Sequence, residues 1–392
     1  SQQLYVAADD VVRITPTAFV HAGGEVAVIA GGDVTIDSDA THSGSFIVSG
    51  STTGNITYKR YIDDANWHLV SAPVTDQSIP DFVGVVGNAV TQSGNNYAVS
   101  YYNNTNAAGK RWTYHNTVDT APENQETLTS FIAGQGYSMN RTAAGTYTFT
   151  GAMANADVSV TIPTTGGSAH LWSAIANPFP SFLSVNTAAD AANLLVDNLA
   201  ALDASFAFLY VWNGTSEEYD PIGAEGAALQ LAPGQAFMVK AKTDGETFIF
   251  NKTLQNHNSG AATFYKSSAL NPTISVHLTN GTANKSANLE FLDDSTTGLD
   301  VGYDAGAYQD GTPSFSINTH LVSDSQGIDF TRQSLPISSL DSEVAIPLSI
   351  NVGIHEEVTF SAEINNLPEG VSVYLEDTFN STFTNLSEAP FE

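Results

Sequence analysis

The chain contains no cysteine. That excludes disulfides, thiolate metal sites and a cysteine nucleophile, and it leaves the compartment open. Positive charge is scarce. Twelve Lys and Arg stand against 41 Asp and Glu, a formal charge of −29. Such a surface repels phosphate backbones and anionic lipid, so nucleic acid and membrane surfaces are not expected partners. Long apolar runs are missing too. The nearest approach, "AFVHAGGEVAVIAGGDVTI", holds four glycines, Glu25 and Asp33, so no transmembrane segment is expected. There is no initiator Met and no signal peptide, and Ser1 reads as a processed or trimmed N-terminus.

What is present points to strands. The 392 residues suffice for several domains, and a hydrophobic fraction of 42% predicts a globular chain rather than a disordered one. Thirty-one Gly and 15 Pro punctuate runs rich in Val, Thr, Tyr and Phe. Residues 1–60 carry short runs ("LYVAA", "VVRI", "EVAVIA", "DVTI", "SFIVSG") spaced near ten residues, the pattern of a short β-solenoid-like segment or a meander. A solenoid end cannot cap itself and must meet something else.

A phrase then recurs. "AGQGY" (133–137) returns as "PGQAF" (233–237), "WHLVSAP" (67–73) as "WSAIANP" (172–178), and "TYTFTG" (146–151) as "TFIFNK" (247–252). "PDF" at 80–82 matches "PSF" at 180–182, Tyr102-Asn103-Asn104-Thr105 matches Trp212-Asn213-Gly214-Thr215, and Trp112 falls near Tyr219. Six matches in one order, at offsets of 100 to 110, predict a tandem duplication over 61–160 and 161–265. Each copy is expected to be a β-sandwich, since its final runs alternate polar and aromatic residues. Gly134 and Gly234 would permit a tight turn, Gln135 and Gln235 would bond its backbone, and Tyr137 and Phe237 would point into the core. The repetition makes Trp67 and Trp172 core residues by expectation. One helix is predicted over 186–202 in the second copy, with Asn186 or Thr187 as its cap. Residues 266–392 hold six further strand-like runs, from "TISVHLTN" to "VSVYLED", and predict a third sandwich. The expected class is all-β: a solenoid-like segment followed by three β-sandwich domains.

The ordered set "GNITYKRYI", "NWHLVSAPV", "GQGYSM", "SAIANPFPS", "YVWNGT", "LAPGQAFMVKA" resembles the outer-surface proteins that Bacteroidota export through the type IX secretion system. "ANLEFLDDSTTGLDVGYDA" and "LPEGVSVYLEDTFNSTFTNLSEAPFE" are similar to the module that stands before the sorting domain in that family. The resemblance covers most of 55–392. It implies a modular, β-rich protein at the outer cell surface or outside the cell, after removal of a signal peptide and a sorting domain. Related sequences continue past "APFE" with one more strand. Its absence reads either as a trimmed chain or as a sandwich edge that a neighbouring subunit completes. Self-association through the N-terminal segment and the C-terminal β edge follows as an expectation.

Chemistry is harder to find. None of the nine histidines shares an HExxH or HxH spacing, and no G-x-S-x-G elbow, P-loop or G-x-G-x-x-G occurs. No catalytic residue or cofactor is assigned. Asp293, Asp294, Asp300 and Asp304 lie within twelve residues, either as a solvated acidic loop or as a Ca²⁺ site. Tyr101, Tyr102 and Trp112, beside the polar loop "NNTNAAGK", are candidate glycan contacts. Thr120 and Ser295 sit in Asp-Thr-Ala and Asp-Ser-Thr triplets like the O-glycosylation sequence of these bacteria. The leading expectation is a non-enzymatic surface protein, structural or adhesive, with head-to-tail assembly. A carbohydrate-binding accessory protein is the alternative, and a polysaccharide-active enzyme with an unrecognised carboxylate pair is third.

Overall fold

The computed structural model describes residues 3–118, 124–214, 218–224, 228–258 and 271–388. It is all-β, with 44% strand and 8% helix. The chain divides into two compact units. One comprises Ser1–Asp203 with Leu209–Ser267, and the other comprises Ala204–Phe208 with Ser268–Glu392.

The first unit begins with three parallel ladders. Leu4–Val6 pairs with Val26–Val28, Val11–Ile14 with Asp33–Asp37, and Phe19–Ala22 with Ser45–Val48. Leu4 meets Val26 and Val11 meets Asp33, so one turn of chain takes 22 residues on these faces. Val6, Ile14, Val26, Val34, Ile36 and Phe46 point inward and are at most 1% exposed. Inward Val and Ile alternate with outward Tyr5, Val11, Arg13 and Ala27, which fixes the face each strand buries.

The coil does not end before the duplication begins. Asn55–Ile62 lies parallel to Asp33–Asp37 on one side and antiparallel to Gly145–Ala152 on the other. The boundary expected at 60/61 falls inside this strand, and a single core cluster runs from Val6 to Met153.

The two copies share one strand plan. In the first, an entry strand Trp67–Val70 pairs with a return strand Tyr137–Asn140, which pairs with an inner strand Asn96–Tyr102, which pairs with an outer strand Trp112–Asn116. In the second the order repeats with Trp172–Ala176, Ala236–Lys240, Leu209–Asn213 and Glu218–Ile222. The hairpin partner Asn55–Ile62 with Gly145–Ala152 recurs as Val158–Ile162 with Glu246–Phe250. Cross-strand pairs agree as well: Tyr102 opposes Trp112, and Trp212 opposes Tyr219.

The repeated Gly-Gln phrase joins the copies reciprocally. Val70 of the first entry strand bridges Gln235 of the second phrase, and Gln135 of the first phrase bridges Ile175 of the second entry strand. Ser71 N–H donates to the Gly234 carbonyl at 2.8 Å, and Ala176 N–H donates to the Gly134 carbonyl at 2.9 Å. Each copy thus offers its glycine turn to the end of the other's entry strand. Both glycines have positive φ, +81° at Gly134 and +64° at Gly234. Tyr137 and Phe237 point inward as expected, 2% and 0% exposed.

Two sequence expectations need correction here. The helix is short: Leu194–Asn198 is α-helical, followed by a 3₁₀ turn at Leu199–Ala201, and Asn193 is the cap, its side chain accepting from Val196 N–H at 3.0 Å. Upstream, the Asn186 and Asp190 side chains accept from Ala189 and Ala192 N–H, and such local turns compete with helix. Trp67 is 38% exposed, whereas Trp172 is 4% exposed. Duplication copied the residue and left its surroundings different.

In the second unit a seven-stranded sheet includes all but the last of the six runs expected there, and Tyr374–Asp377 pairs with Thr382–Asn385 as a separate hairpin. Ile274, Val276, Leu289, Phe291 and Leu335 bury one face, with Leu375 and Leu386 packed against them. Among the described residues no helix is long and apolar enough to cross a membrane.

Candidate functional site

The reciprocal junction has two flanks, and they differ. On one, the Tyr102 hydroxyl meets His170 Nε2 at 2.7 Å. Asn104 beside it donates from Nδ2 to the His170 carbonyl at 2.9 Å and accepts at Oδ1 from Thr165 N–H at 3.2 Å. Ser168 Oγ donates to the Asn104 carbonyl at 2.9 Å. Burial, and then the nearby charges of Arg111 and Lys240, push the His170 imidazole down to about 4, so it sits neutral at this junction. This flank is sealed: Tyr102 and Asn104 are each 1% exposed.

On the other flank the equivalent residues are smaller or unbonded. Trp212 takes the place of Tyr102, Gly214 that of Asn104, and Ala65, two residues before its entry strand, that of His170. The Trp212 indole nitrogen is buried and has no hydrogen-bond partner. A Cβ built on Gly214 would meet nothing closer than 3.8 Å. The result is a cleft of about 140 Å³.

The coil, the first copy and the second copy all contribute walls. Asp39 and His42 come from the loop between two coil strands, Arg60 and Tyr61 from the shared strand, Asp63 from the approach to the first entry strand, His68 from that strand itself, and Trp212 and Gln235 from the second copy. Asp39 Oδ1 accepts from the Thr41 and His42 amides at 2.8 and 2.7 Å, and these bonds, the Thr41 amide first, hold its carboxyl below the usual range. Burial works against the Asp64 charge, yet the Asn66 amide and the His68 ring, 2.8 Å away, hold that carboxyl low as well. Gln235, 8% exposed, accepts from Ala232 N–H at 3.1 Å through Oε1, and its Nε2 makes no hydrogen bond among the described residues. In the first copy the same turn amide, Ile132 N–H, donates instead to the Tyr137 hydroxyl at 3.0 Å. Phe237 has no hydroxyl to offer, so Gln235 caps its own turn.

Asp63, Asp64 and His68 have ligand atoms within 4.8 Å of one another and are the residues best placed to hold a cation among those described. Asp64, however, already accepts from Asn66 and faces His68. Only Asp63 of the three carries no hydrogen bond, which suits a ligand hydroxyl better than a multidentate cation site. The run "DDANWH" showed this group in the sequence, but a search for paired histidines passes over it.

The structure places the other candidate residues as follows. Tyr102 is buried, so its ring cannot present a face to a glycan. Tyr101 is half-buried and donates to Glu126 at 2.8 Å; burial and then that carboxylate push its phenol up to about 12. Trp112 is half-buried and stands edge-on to Tyr102 with centroids 5.1 Å apart. These three therefore form no open platform, and the open counterpart of Tyr102 is Trp212. Asp293, Asp294, Asp300 and Asp304 do not converge. Asp304, fully buried, accepts from Asp300 N–H and from the Ser334 amide and hydroxyl, while Asp300 accepts from Thr296. Burial pushes Asp304 up to about 6 despite those donors. Asp293 and Asp294 are exposed. Ser295 is half-buried in the same loop, and Thr120 lies outside the described residues.

The fold and the cleft define an all-β protein with an open polar cleft where its two repeated units meet. By sequence the chain belongs to the family described as "Domain of unknown function (DUF8693)", whose model matches residues 1–392. No curated protein and no solved structure matches it.

Proposed function

We propose that this is a non-enzymatic adhesive protein of the outer cell surface, exported by the type IX route, that recognises its target through the cleft at the copy junction. The observation that carries the reading is the unequal closure of the two flanks. Three exchanges (Tyr102 to Trp212, Asn104 to Gly214, His170 to Ala65) replace a bonded seal with an open wall of unbonded donors. A binding role without turnover fits the groups present. Among the described residues the His68 ring bonds only Asp64, the Ser43 hydroxyl in the cleft wall meets Tyr58 at 2.7 Å, and the Thr41 hydroxyl is held within its own loop, 3.1 Å from Asp39 Oδ1 and 2.7 Å from His42 Nδ1. The acidic surface and the family resemblance support export.

Labelled chain should be retained saturably on immobilised polysaccharide, with no release of reducing ends. Release of reducing ends that Asp63→Asn abolishes would make the protein a hydrolase and overturn the reading.

A second reading, self-assembly, is favoured by one feature. Leu4–Val6, Val11–Ile14 and Phe19–Ala22 each pair on one side only, and Tyr5 and Val11 on this first turn are 58% and 69% exposed. Such an edge invites another strand. Sedimentation from micromolar to millimolar concentration tests it, and monomer throughout refutes it.

A further inference from the structure

We propose that the cleft takes one anionic pyranose, a hexuronate residue of an acidic polysaccharide, with its carboxylate on Arg60. This rests on the reading of the cleft as the adhesive site and names its ligand class.

Arg60 lies on the shared strand between Tyr58 and Ile62, follows their inward alternation, and lines the cleft. It makes no ion pair and no hydrogen bond among the described residues, and its Nε is buried. In a chain of 12 basic and 41 acidic residues, an unpaired guanidinium with a buried donor is unexpected. The two Nη nitrogens are not buried, and the planar fork of arginine suits a carboxylate's two oxygens.

The other groups describe the remainder of the ligand. Trp212 Nε1 and Gln235 Nε2 are further donors without acceptors, matched to ring or hydroxyl oxygens. Asp39 and Asp63 on the exposed rim are acceptors, matched to hydroxyl protons. The indole supplies an apolar surface for a sugar ring. A volume of about 140 Å³ admits a six-membered ring, as an engineered cavity of about 150 Å³ admits benzene, and the substituents of a pyranose would extend to the open rim. A neutral hexose would satisfy Trp212 and Gln235 and leave Arg60 unpaired. A simple carboxylate such as acetate would pair Arg60 and leave the rim unused.

The test is titration of the whole chain with D-galacturonate and D-glucuronate, and with D-galactose and D-glucose, by saturation-transfer NMR and calorimetry. At least one uronate should bind ten-fold or more tightly than its neutral counterpart. Gly214→Asn rebuilds the side chain of the sealed flank in a space that admits a Cβ, and it should lose binding ten-fold or more. Trp212→Phe keeps the ring and removes the donor, and it should also weaken binding. Arg60→Gln should erase the preference for uronate while leaving weak binding. Retention of the folded near-ultraviolet dichroism qualifies each variant. Equal binding of acidic and neutral sugars, abolished by Gly214→Asn, overturns the uronate and keeps the cleft. Binding unchanged in Gly214→Asn and Trp212→Phe overturns the cleft as the sugar's place. No binding of any sugar by a chain that still adheres to polysaccharide overturns the inference alone; no adhesion either overturns both readings.

Discussion

Substituting alanine at the two repeated glycines should cost stability unequally, Gly234→Ala more than Gly134→Ala. Both need positive φ, which a Cβ penalises by about 1–2 kcal/mol. The surroundings then separate them. At Gly234 the new Cβ would stand 2.5 Å from the Ser71 carbonyl oxygen and 3.1 Å from Pro73 Cδ. Ser71 is the residue whose N–H bonds the Gly234 carbonyl, so relief of the clash pulls on a buried junction bond worth about 1–3 kcal/mol when left unsatisfied. At Gly134 the nearest atom, also at 2.5 Å, is Val160 Cγ2, which can turn away at about 0.5–1.5 kcal/mol. The expected losses are about 2–5 kcal/mol for Gly234→Ala and about 1.5–3.5 kcal/mol for Gly134→Ala, the first centred higher. Urea unfolding followed by tryptophan fluorescence isolates the relevant unit, because Trp67, Trp112, Trp172 and Trp212 all lie in the first one. A Gly234→Ala loss below about 0.5 kcal/mol, or a larger loss at Gly134, would refute the reciprocal junction, since a surface turn away from such features gives changes of that small size.

Three further outcomes are expected. Tyr137→Phe removes the acceptor for Ile132 N–H; it should cost about 1 kcal/mol by urea unfolding, and less if Gln135 turns to cap the turn as Gln235 does. His170 is held near 4 when folded against an ordinary 6.5, so the unfolded chain takes up its proton first as pH falls. Stability of the first unit, read by tryptophan fluorescence, should be intact above pH 6.5 and decline toward pH 4, with the decline flattened in His170→Asn. Asp304 behaves oppositely: raised to about 6 from 3.8, its contribution is present below pH 3.8 and lost as pH rises through 6. Exchange protection of Phe330–Pro336, corrected for intrinsic rate, should therefore increase on acidification from pH 7 to pH 4.

Much of the architecture was legible because it repeats. The ordered matches around "GQGY" and "PGQAF" fall on strands of like order, and Tyr102 opposes Trp112 as Trp212 opposes Tyr219. The strand Phe330–Pro336 was not legible, because its interior is Arg332, Gln333 and Ser334. Gln333 and Ser334 are buried all the same, Ser334 against Asp304 and Gln333 with its amide unpaired among the described residues, so buried polar side chains hide the hydrophobic alternation that marks other strands. The candidate site was half legible. Asn104 opposite Gly214 is visible in the alignment of the copies, and so is the change from Tyr102 to Trp212. Their meaning depends on Gly214 lying beside Asn66 and Trp67 of the other copy, a long-range placement that no local period encodes.

The most direct test of the open flank uses the four tryptophans as reporters. The chain is labelled with 5-fluorotryptophan, its four fluorine resonances are assigned by single Trp→Phe variants, and galacturonate or glucuronate is added. The account predicts that the Trp212 resonance shifts in a saturable way, that Trp172 and Trp112 stay fixed, and that Gly214→Asn removes the shift. A saturable shift confined to Trp112 or Trp172, or a Trp212 shift that survives Gly214→Asn, would contradict it.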